Sequence, residues 1–368
     1  MQPMSWEDAL ALETIDGVRI AAAELQPFVA AIMAAAGADE VSAAAAARAV
    51  VDASARAFDT HGVRLVPFYL RGLEGGRING RPRLTVERKA AAVVHIDADD
   101  GLGHLASERA IEEGCAIAAE TGIAIATIGR SSHHGATGCY TRQAALRGFA
   151  AIGMTHADSA VIPHGGTSAF FGTNPLSFAV PVPGEDPLLL DMATSAIPFN
   201  RVELRRATGT PLPEAVAVDR EGAFTTDPHA TVAVAPLGGA VFGYKGSGLA
   251  AMVDILCSAF TGMGHGHSLA AFGGPDFSQP IRIGHVFIIL TPSVFQALSL
   301  FDARIGAFLA DLRAQPAKPG LTVHAPGDIE KAEAKRRMRE GLPVDPVSWT
   351  ALREIAARFG IPLPPLMA

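Results

Sequence analysis

The sequence predicts an α/β fold, in which a sheet is covered by helices. From about Leu84 onward, short β-branched runs alternate with longer runs of helix-forming residues, a pattern typical of α/β proteins. The first ninety residues differ, because they consist mainly of alanine-rich, helix-forming stretches. The chain has 368 residues, 49% of them hydrophobic, which is enough for two or more domains with sizeable cores.

The N-terminal part is predicted to be helical. Residues 37–57 begin with two carboxylates and continue with strong helix formers, so the acidic groups meet the positive end of a helix. In residues 58–82, Thr60, His61 and Tyr69 interrupt an otherwise apolar pattern. Polar groups inside an apolar stretch need partners or a function.

The stretch SSHHGATGCY, residues 131–140, is the candidate centre of the chemistry. It follows a predicted buried strand at residues 122–128 and precedes a predicted helix that Gly148 ends. Open α/β sheets bind ligands in such loops, because backbone N–H groups and the helix dipole point outward there. His133 and His134 therefore lie where chemistry is expected.

The remaining elements follow from the same patterns. Residues 205–237 form a loop-rich, polar excursion of the kind that usually covers or builds a site. A proline-rich tail is expected at the C-terminus. Strands are predicted within residues 84–97, 149–157, 161–182, 187–202 and 283–291, and helices within residues 103–121, 238–267, 292–315 and 328–341.

Composition excludes several classes of partner. The formal net charge of -7 argues against nucleic acid or an anionic membrane surface, because both require clustered Lys and Arg. Cys115, Cys139 and Cys257 are too widely spaced to indicate a disulfide framework, so a reducing, cytoplasmic location is predicted. Residues 1–20 lack the pattern of a signal peptide, and no uninterrupted apolar run approaches membrane-spanning length.

Common nucleotide and hydrolase motifs are missing. Gly101 and Gly103 lack the third glycine of G-x-G-x-x-G, so the usual dinucleotide-binding fingerprint is missing. The sequence also contains no Walker A loop, no G-x-S-x-G elbow and no H-E-x-x-H helix, which makes serine hydrolase and zincin chemistry weak hypotheses.

Seven motifs, in order, resemble one family. They lie at residues 60–63, 132–135, 172–177, 190–195, 236–239, 243–246 and 326–327. On these motifs the chain, over roughly residues 38–342, is similar to the non-Rossmann malate/L-lactate dehydrogenase family, which includes ureidoglycolate and sulfolactate dehydrogenases, diketogulonate reductase and piperideine-2-carboxylate reductase.

The resemblance implies NAD(P)-dependent hydride transfer between nicotinamide and a small 2-hydroxy or 2-oxo acid, like malate or lactate. Reduction of cyclic 2-imino acids and a non-catalytic ligand-binding relative are the alternatives. The resemblance also implies a homodimer without a metal. The fold that it implies is a mixed sheet with helices on its faces, plus a helical domain built from both chain ends. The predicted segments are an N-terminal helical part, a cofactor-binding sheet domain and C-terminal helices that pack on the N-terminal part, at residues 1–90, 91–295 and 296–368.

His61 and His133 are the candidate catalytic residues. Reducing a C=O or C=N bond beside a carboxylate needs a hydride donor, a proton donor and groups that bind the carboxylate. Histidine suits the proton step because its ordinary pKa lies near neutral pH. The resemblance leaves open which histidine is the acid, and we favour His61, since its helix-rich segment could close over the substrate. His134, His156 and His164 are expected to pack or to lie at the rim of the site rather than to catalyse.

Four further residues are predicted to bind the substrate. Relatives often carry an arginine four residues after the first histidine, but Leu65 holds that position here and Arg64 comes one residue earlier, a turn of about 100° on a helix. Either Arg64 replaces the clamp, or the acid is bound differently. The others are Thr60, Tyr69 and Asn174, whose amide either faces the site or bonds to its own backbone.

The resemblance implies that a set of residues in this chain contacts the nucleotide. Lys245 has a physical reason to hold phosphate, because glycines at a helix start let the backbone approach while the ammonium adds charge. Asp191 could accept ribose hydroxyls or cap a turn. Asp328 is shorter than the glutamate usual in relatives. The predicted cofactor-binding residues are Leu190, Asp191, Met192, Ala193, Thr194, Ser195, Lys245, Pro326, Gly327 and Asp328.

A metal-dependent hydrolase or lyase using His133, His134, His265 and His267 is a competing hypothesis. Its ligand spacing is unconvincing, because adjacent histidines cannot both face one ion on regular structure.

Overall fold

A seven-stranded mixed sheet forms the centre of the molecule. The computed structural model describes residues 17–367, without the side chains at positions 204, 207 and 208. The prediction that the N-terminus carries no signal peptide falls mostly on residues 1–16, outside the described residues. The strands are β1 Val18–Ile20, β2 Thr85–Ala90, β3 Val93–Asp97, β4 Ile123–Ser131, β5 Ala150–Thr155, β6 Leu176–Val180, β7 Leu188–Met192, β8 Ala217–Val218, β9 Ala233–Val234, β10 Ile283–Leu290 and β11 Leu342–Val344.

The strand order of this sheet is β2-β3-β4-β10-β5-β6-β7. Only the β3–β4 pair is parallel, and its other pairs are antiparallel. This order confirms the predicted mixed sheet. The helices are α1 Ala22–Ala35, α2 Glu40–Ala55, α3 Val66–Glu74, α4 Gly103–Thr121, α5 Gly138–Leu146, α6 Phe199–Thr208, α7 Gly239–Ser258, α8 Pro292–Phe295, α9 Leu298–Arg313, α10 Asp328–Glu340 and α11 Pro346–Phe359.

Helices cover both faces of the sheet because side chains alternate along the central strand β10. Phe287 and Ile289 pack with apolar residues of α4 and α5. Val286 and Ile288, which alternate with them, pack on the opposite face with Val253 and Cys257 of α7. The predicted strand within residues 283–291 is thus buried on both sides.

A separate helical layer combines the two ends of the chain. Its core joins α1, α2 and α3 to apolar residues of β11 and α11, and β1 pairs with β11. The predicted helical domain from both ends is therefore confirmed. Helix α9 differs from our expectation for residues 296–368, because Leu309 and its apolar neighbours pack on β5, β6 and β7 instead.

The prediction of a proline-rich C-terminal tail was wrong, since α11 occupies most of it. Asp345 caps the helix by accepting a hydrogen bond from the backbone N–H of Ser348 at 2.9 Å. Pro346 stands at the first helical position, where its missing N–H costs nothing. Gly360, with φ of 66°, ends the helix.

Candidate active site

His133 lies in the loop between the end of β4 and the start of α5, where the sequence places it. The loop follows Ser131, the last residue of β4, and α5 begins at Gly138. The imidazole of His133 is half-buried, whereas that of His134 is completely buried. The loop therefore offers one of its two histidines to the surface.

His61 reaches the same place from the N-terminal layer. It ends a short 3-10 turn, Asp59–His61, between α2 and α3. A Cβ on the next residue, Gly62, would lie 2.1 Å from Ser54 Oγ, so glycine allows this turn to press against α2. The rings of His61 and His133 are stacked with centroids 5.7 Å apart and planes inclined by 20°. The two candidate catalytic residues thus meet.

The hydrogen bonds of His133 fix its tautomer. Its Nδ1 lies 2.8 Å from the hydroxyl of Tyr69 and 3.1 Å from the backbone nitrogen of Gly135. A backbone N–H can only donate, so Nδ1 must accept, and the neutral ring carries its proton on Nε2. Within the described residues, Nε2 of neither His61 nor His133 has a hydrogen-bond partner. Both atoms are available to a substrate.

Behind this pair lies a layer of buried histidines, of which the sequence analysis singled out His134 but not His104 or His285. His134 bonds to the hydroxyls of Ser107 and Thr137 at 2.9 and 3.0 Å, and its ring stacks on His285 at 4.1 Å. His104 packs edge-on against Tyr69 with centroids 4.8 Å apart. Its two ring nitrogens have no hydrogen-bond partner in the described part of the chain. The expected packing role of His134 agrees with these contacts.

Two other histidines have the structural positions that were predicted for them. His156 is buried, and its Nε2 lies 2.9 Å from the carbonyl oxygen of Gly264. His164 is exposed, with its ring edge-on to Tyr244.

Burial keeps the histidine cluster neutral. It lowers the pKa of His61 to about 4 and those of His104 and His285 to about 3. The pKa of His133 falls well below its ordinary value, first through burial and then through the neighbouring histidines. Burial also raises the pKa of Tyr69 well above 10. A bound anion would oppose these shifts, because a nearby negative charge favours imidazolium.

Arg64 and Leu65 differ in exposure. Leu65 is buried in the core of the helical layer, whereas the Arg64 side chain is exposed beside the His61 turn. No hydrogen bond or ion pair joins Arg64 to another described residue. Its guanidinium is therefore free to move, and a carboxylate contact remains a prediction.

Asn174 differs from the expectation of an amide exposed toward the site. The residue is fully buried at the end of a turn. Its Nδ2 donates to the carbonyl of Ala250 and to Asp254 Oδ2 at 3.0 and 3.2 Å, and its Oδ1 accepts from the N–H of Ala157 at 3.1 Å. The amide is thus bonded within the protein, so direct substrate contact would require these bonds to break.

The residues at 190–195 lie at the edge of the sheet and connect to the histidine loop. Asp191 Oδ2 accepts a 2.7 Å hydrogen bond from the N–H of Gly138, the first residue of α5. A Cβ on Gly138 would lie only 2.8 Å from that oxygen, so glycine permits the approach. Burial raises the pKa of Asp191 to about 7, although the Gly138 bond lowers it.

Four of the sequence motifs converge beside β7. The N–H of Leu237 donates to the carbonyl of Thr194 at 2.8 Å, and Gly246 of α7 packs against Leu237. On the other side, Gly327 has a φ of 88°, and a Cβ there would lie 3.0 Å from the backbone of Leu189. Asp328 does not face outward, because it pairs with Arg313 at 2.6 Å.

Lys245 was predicted to stand at the start of a helix, but it lies inside one. Helix α7 begins at Gly239, so Lys245 lies in its second turn. Its side chain is exposed, and Nζ is 5.4 Å from the ring centroid of Phe242. The glycines that we took for a helix start are inside the helix, where Gly243 and Gly246 allow close packing on Pro236 and Leu237.

The region offers space for a nucleotide. A groove of about 390 Å³ opens where α7 begins, and four of the residues that line it, Gly165, Gly166, Gly222 and Gly239, are glycines. Backbone without side chains can approach a phosphate closely. The described part of the chain contains no group of three or more His, Cys, Asp or Glu side chains that could hold a metal ion. The imidazoles of His133 and His134 face different partners, contrary to the metal hypothesis.

Comparison with known proteins identifies relatives of this arrangement. The sequence model of a family described as malate/L-lactate dehydrogenase matches residues 20–353. The NAD(+)-dependent ureidoglycolate dehydrogenase of Escherichia coli K12 is 31% identical over 310 residues, 84% of this chain and 87% of that protein. The NADP(+)-dependent (2R)-3-sulfolactate dehydrogenase of Chromohalobacter salexigens is 35% identical over 274 residues, 74% of this chain and 80% of that protein.

A solved structure extends the likeness to three dimensions. The Δ1-piperideine-2-carboxylate reductase of Pseudomonas syringae pv. tomato superposes with a TM-score of 0.84. It is 28% identical, and the match covers 92% of this chain and 99% of that one.

Proposed function

The chain belongs to the malate/L-lactate dehydrogenase family, and on that premise we propose that it transfers hydride between a nicotinamide cofactor and a small 2-hydroxy or 2-oxo acid. The observation that carries this proposal is the half-buried stack of His61 and His133, with both Nε2 atoms available. The cofactor supplies the hydride. The protein must supply a proton and hold the carboxylate.

His61 is the proposed proton donor. Its Nδ1 contacts only the hydroxyl of Thr60, at 2.9 Å, and a hydroxyl can accept or donate as the ring changes state. His133 is less free, because protonation at Nδ1 would break the bond from the Gly135 N–H. Its Nε2–H is suited to hold the substrate oxygen or carboxylate. Thr60, Tyr69 and, after movement, Arg64 would complete the contacts.

The proposed cofactor region combines residues 190–195, Lys245 and residues 326–328. The contacts between Thr194 and Leu237 and between Leu189 and Gly327 support it, because they bring motifs that are distant in sequence to one edge of the sheet. The two curated relatives use different nicotinamide cofactors, and this chain is therefore proposed to use NAD or NADP.

We also propose a homodimer. Large apolar side chains are exposed along α7, α8 and α9, including Val241 at 70%, Ile255 at 55% and Phe295 at 71%. Such a surface in a protein of this class is normally covered by a partner.

Among the described helices, α7 alone is long and apolar enough to cross a membrane, with a mean hydropathy of 1.2. A helix at a subunit interface meets the same criterion, and we place the protein in the cytoplasm. All three of its cysteines are free and buried.

A cyclic 2-imino acid is the second candidate substrate. The structural likeness to a piperideine-2-carboxylate reductase favours it. His61 in its protonated form would give its proton to an imine nitrogen as well as to a carbonyl oxygen, and would return to the neutral imidazole.

The proposal is tested by following the loss of reduced-nicotinamide absorbance. NADH and NADPH are each combined with pyruvate, oxaloacetate, 2-oxoglutarate, sulfopyruvate and a cyclic 2-imino acid. Turnover with one of them is expected. A protein that neither binds nicotinamide cofactor nor turns over any of these compounds would be a non-catalytic relative.

A further inference from the structure

The loop before β10 places an aromatic ring on the candidate active site. The ring centroid of Phe272 lies 4.7 Å from that of His133. The ring of Phe272 also stacks on that of Phe68 of α3, with centroids 3.7 Å apart. Phe272 is half-buried. Aromatic packing thus extends from the helical layer to the catalytic histidine.

Arg77 holds this loop through its backbone. Its side chain is 4% exposed, and Nη1 donates to the carbonyls of Ala271 and Phe272 at 3.1 and 3.2 Å. Nη2 donates to the carbonyl of Asp276. The N–H of Phe272 donates to Asp158 Oδ2 at 2.9 Å. The peptide groups on both sides of Phe272 are therefore fixed, and its ring is held at His133.

Arg71 and Arg77 both contact the loop that carries Phe272 and Phe277. The guanidinium carbons of Arg71 and Arg77 lie 4.9 and 4.5 Å from the ring centroid of Phe277, and Nη1 and Nη2 of Arg77 donate to backbone carbonyls. The rings that contact His133 belong to His61, Tyr69 and Phe272. The wall that Phe272 forms beside His133 is thus apolar.

We propose that Phe272 is a specificity-determining residue, which forms the wall against which the side chain of the substrate lies. The preferred substrates are then 2-oxo monocarboxylic acids with a short apolar side chain. A second carboxylate or a sulfonate would lose its water against this ring without gaining a partner. This inference rests on the proposed function, because it places the reacting carbon next to His133.

The first measurement compares kcat/KM of the unmodified enzyme for pyruvate and 2-oxobutyrate with that for oxaloacetate and sulfopyruvate. The monoanionic acids are expected to react at least about 10-fold better. A preference for either dianionic acid would overturn the inference, while turnover itself would uphold the proposed function. Absence of turnover with every acid would overturn the proposed function and the inference with it.

The second measurement uses F272A. Removing the ring makes room, so kcat/KM for 4-methyl-2-oxopentanoate relative to pyruvate should rise about 10-fold or more. F272L, which keeps an apolar wall and is less disruptive, should shift the ratio in the same direction but less. F277A is the matched control, because Phe277 is on the same loop and packs on Phe68 and the two arginines. Unchanged ratios in both Phe272 variants, or an equal shift in F277A, would contradict the inference.

Discussion

The hydrogen bond between Tyr69 and His133 supports the division of roles that we propose for the two histidines of the site. Tyr69 is fully buried, and its hydroxyl lies 2.8 Å from Nδ1 of His133. Together with the N–H of Gly135 it favours an unprotonated Nδ1. His133 is thereby held as a neutral hydrogen-bond donor through Nε2. His61 has no backbone N–H bound to its Nδ1, which supports its proposed role in proton transfer.

Tyr69→Phe should raise the pKa of His133, because one bond to the unprotonated Nδ1 is lost. If neutral His133 is the active form, the acid limb of the pH profile of kcat/KM moves to higher pH. A shift of several tenths of a pH unit is expected. The control is Tyr140→Phe, since Tyr140 is equally buried but donates to the carbonyl of His134. An acid limb that stays in place or moves to lower pH would argue against this role.

Residues differ in how far the sequence revealed them. His61, His133 and Tyr69 were predicted, because polar groups in apolar or loop contexts can be seen locally. Asn174 was misjudged, since its partners Ala250 and Asp254 are about eighty residues away. The contact of Phe272 with His133 could not be predicted for the same reason. Long-range contacts leave no local pattern in a single sequence.

At the scale of elements, the start of α5 connects the predicted cofactor motif to the histidine loop. Asp191 of β7 accepts the first N–H of the helix, an arrangement that the helix dipole favours. Burial nevertheless raises the pKa of Asp191 to about 7. The carboxyl is then partly protonated near neutral pH, whereas in the unfolded chain it ionises near pH 4.

This difference predicts the behaviour of Asp191→Asn. Between pH 4 and 7 the folded protein binds the additional proton, so the contribution of Asp191 to stability falls as pH rises through that range. The melting temperature of D191N minus that of the wild type should increase from pH 5 to pH 7 and then level off. The corresponding change in the free energy of unfolding is at most about 1.4 kcal/mol per pH unit. It is smaller where water screens the half-buried carboxylate.

Asp345→Asn, at the cap of α11, serves as a control for this series. A constant difference between D191N and the wild type across the pH range would show that Asp191 ionises normally in the folded protein. Thermal denaturation followed by circular dichroism is sufficient for both variants.

Elements with strong local signals were predicted well. The order of strand, strand, helix and strand from β2 to β4 follows from alternating apolar runs and glycine stops. Helix α11 was missed, although Asp345 and Pro346 are a helix-start signal. The prolines on both sides of the helix favoured the prediction of a tail, although the cap residues indicate a helix. The position of Lys245 was misjudged because glycines inside α7 resemble a helix boundary.

At the scale of the whole molecule, the two chain ends form one layer that carries His61 to the sheet. The pairing of β1 with β11 joins residues more than three hundred positions apart. The family resemblance implied this arrangement, which the periodicity of the sequence could not show. The candidate active site lies where this layer meets β4 and α5.

The exposed apolar surface of α7 leads to a prediction about assembly. The protein in solution should have about twice the chain mass of 38.1 kDa. Ile255→Glu should convert it to a monomer, because a charge would be buried without a partner in the interface. Val41→Glu is the control, since Val41 is exposed to 60% on α2, away from this surface. Light scattering after size exclusion gives the masses. A monomeric wild type, or a dimeric I255E, would contradict the proposed interface.

The most direct test of the histidine pair compares His61→Ala with His133→Ala on the best substrate of the panel. If His61 supplies the proton, H61A should lower kcat by about 10²–10⁴-fold, while cofactor affinity measured by fluorescence stays within a factor of a few. H133A should raise KM more than H61A does, because His133 holds the substrate. If kcat of H61A stays near that of the wild type while H133A loses turnover, the proton donor is His133 and the proposed assignment is wrong.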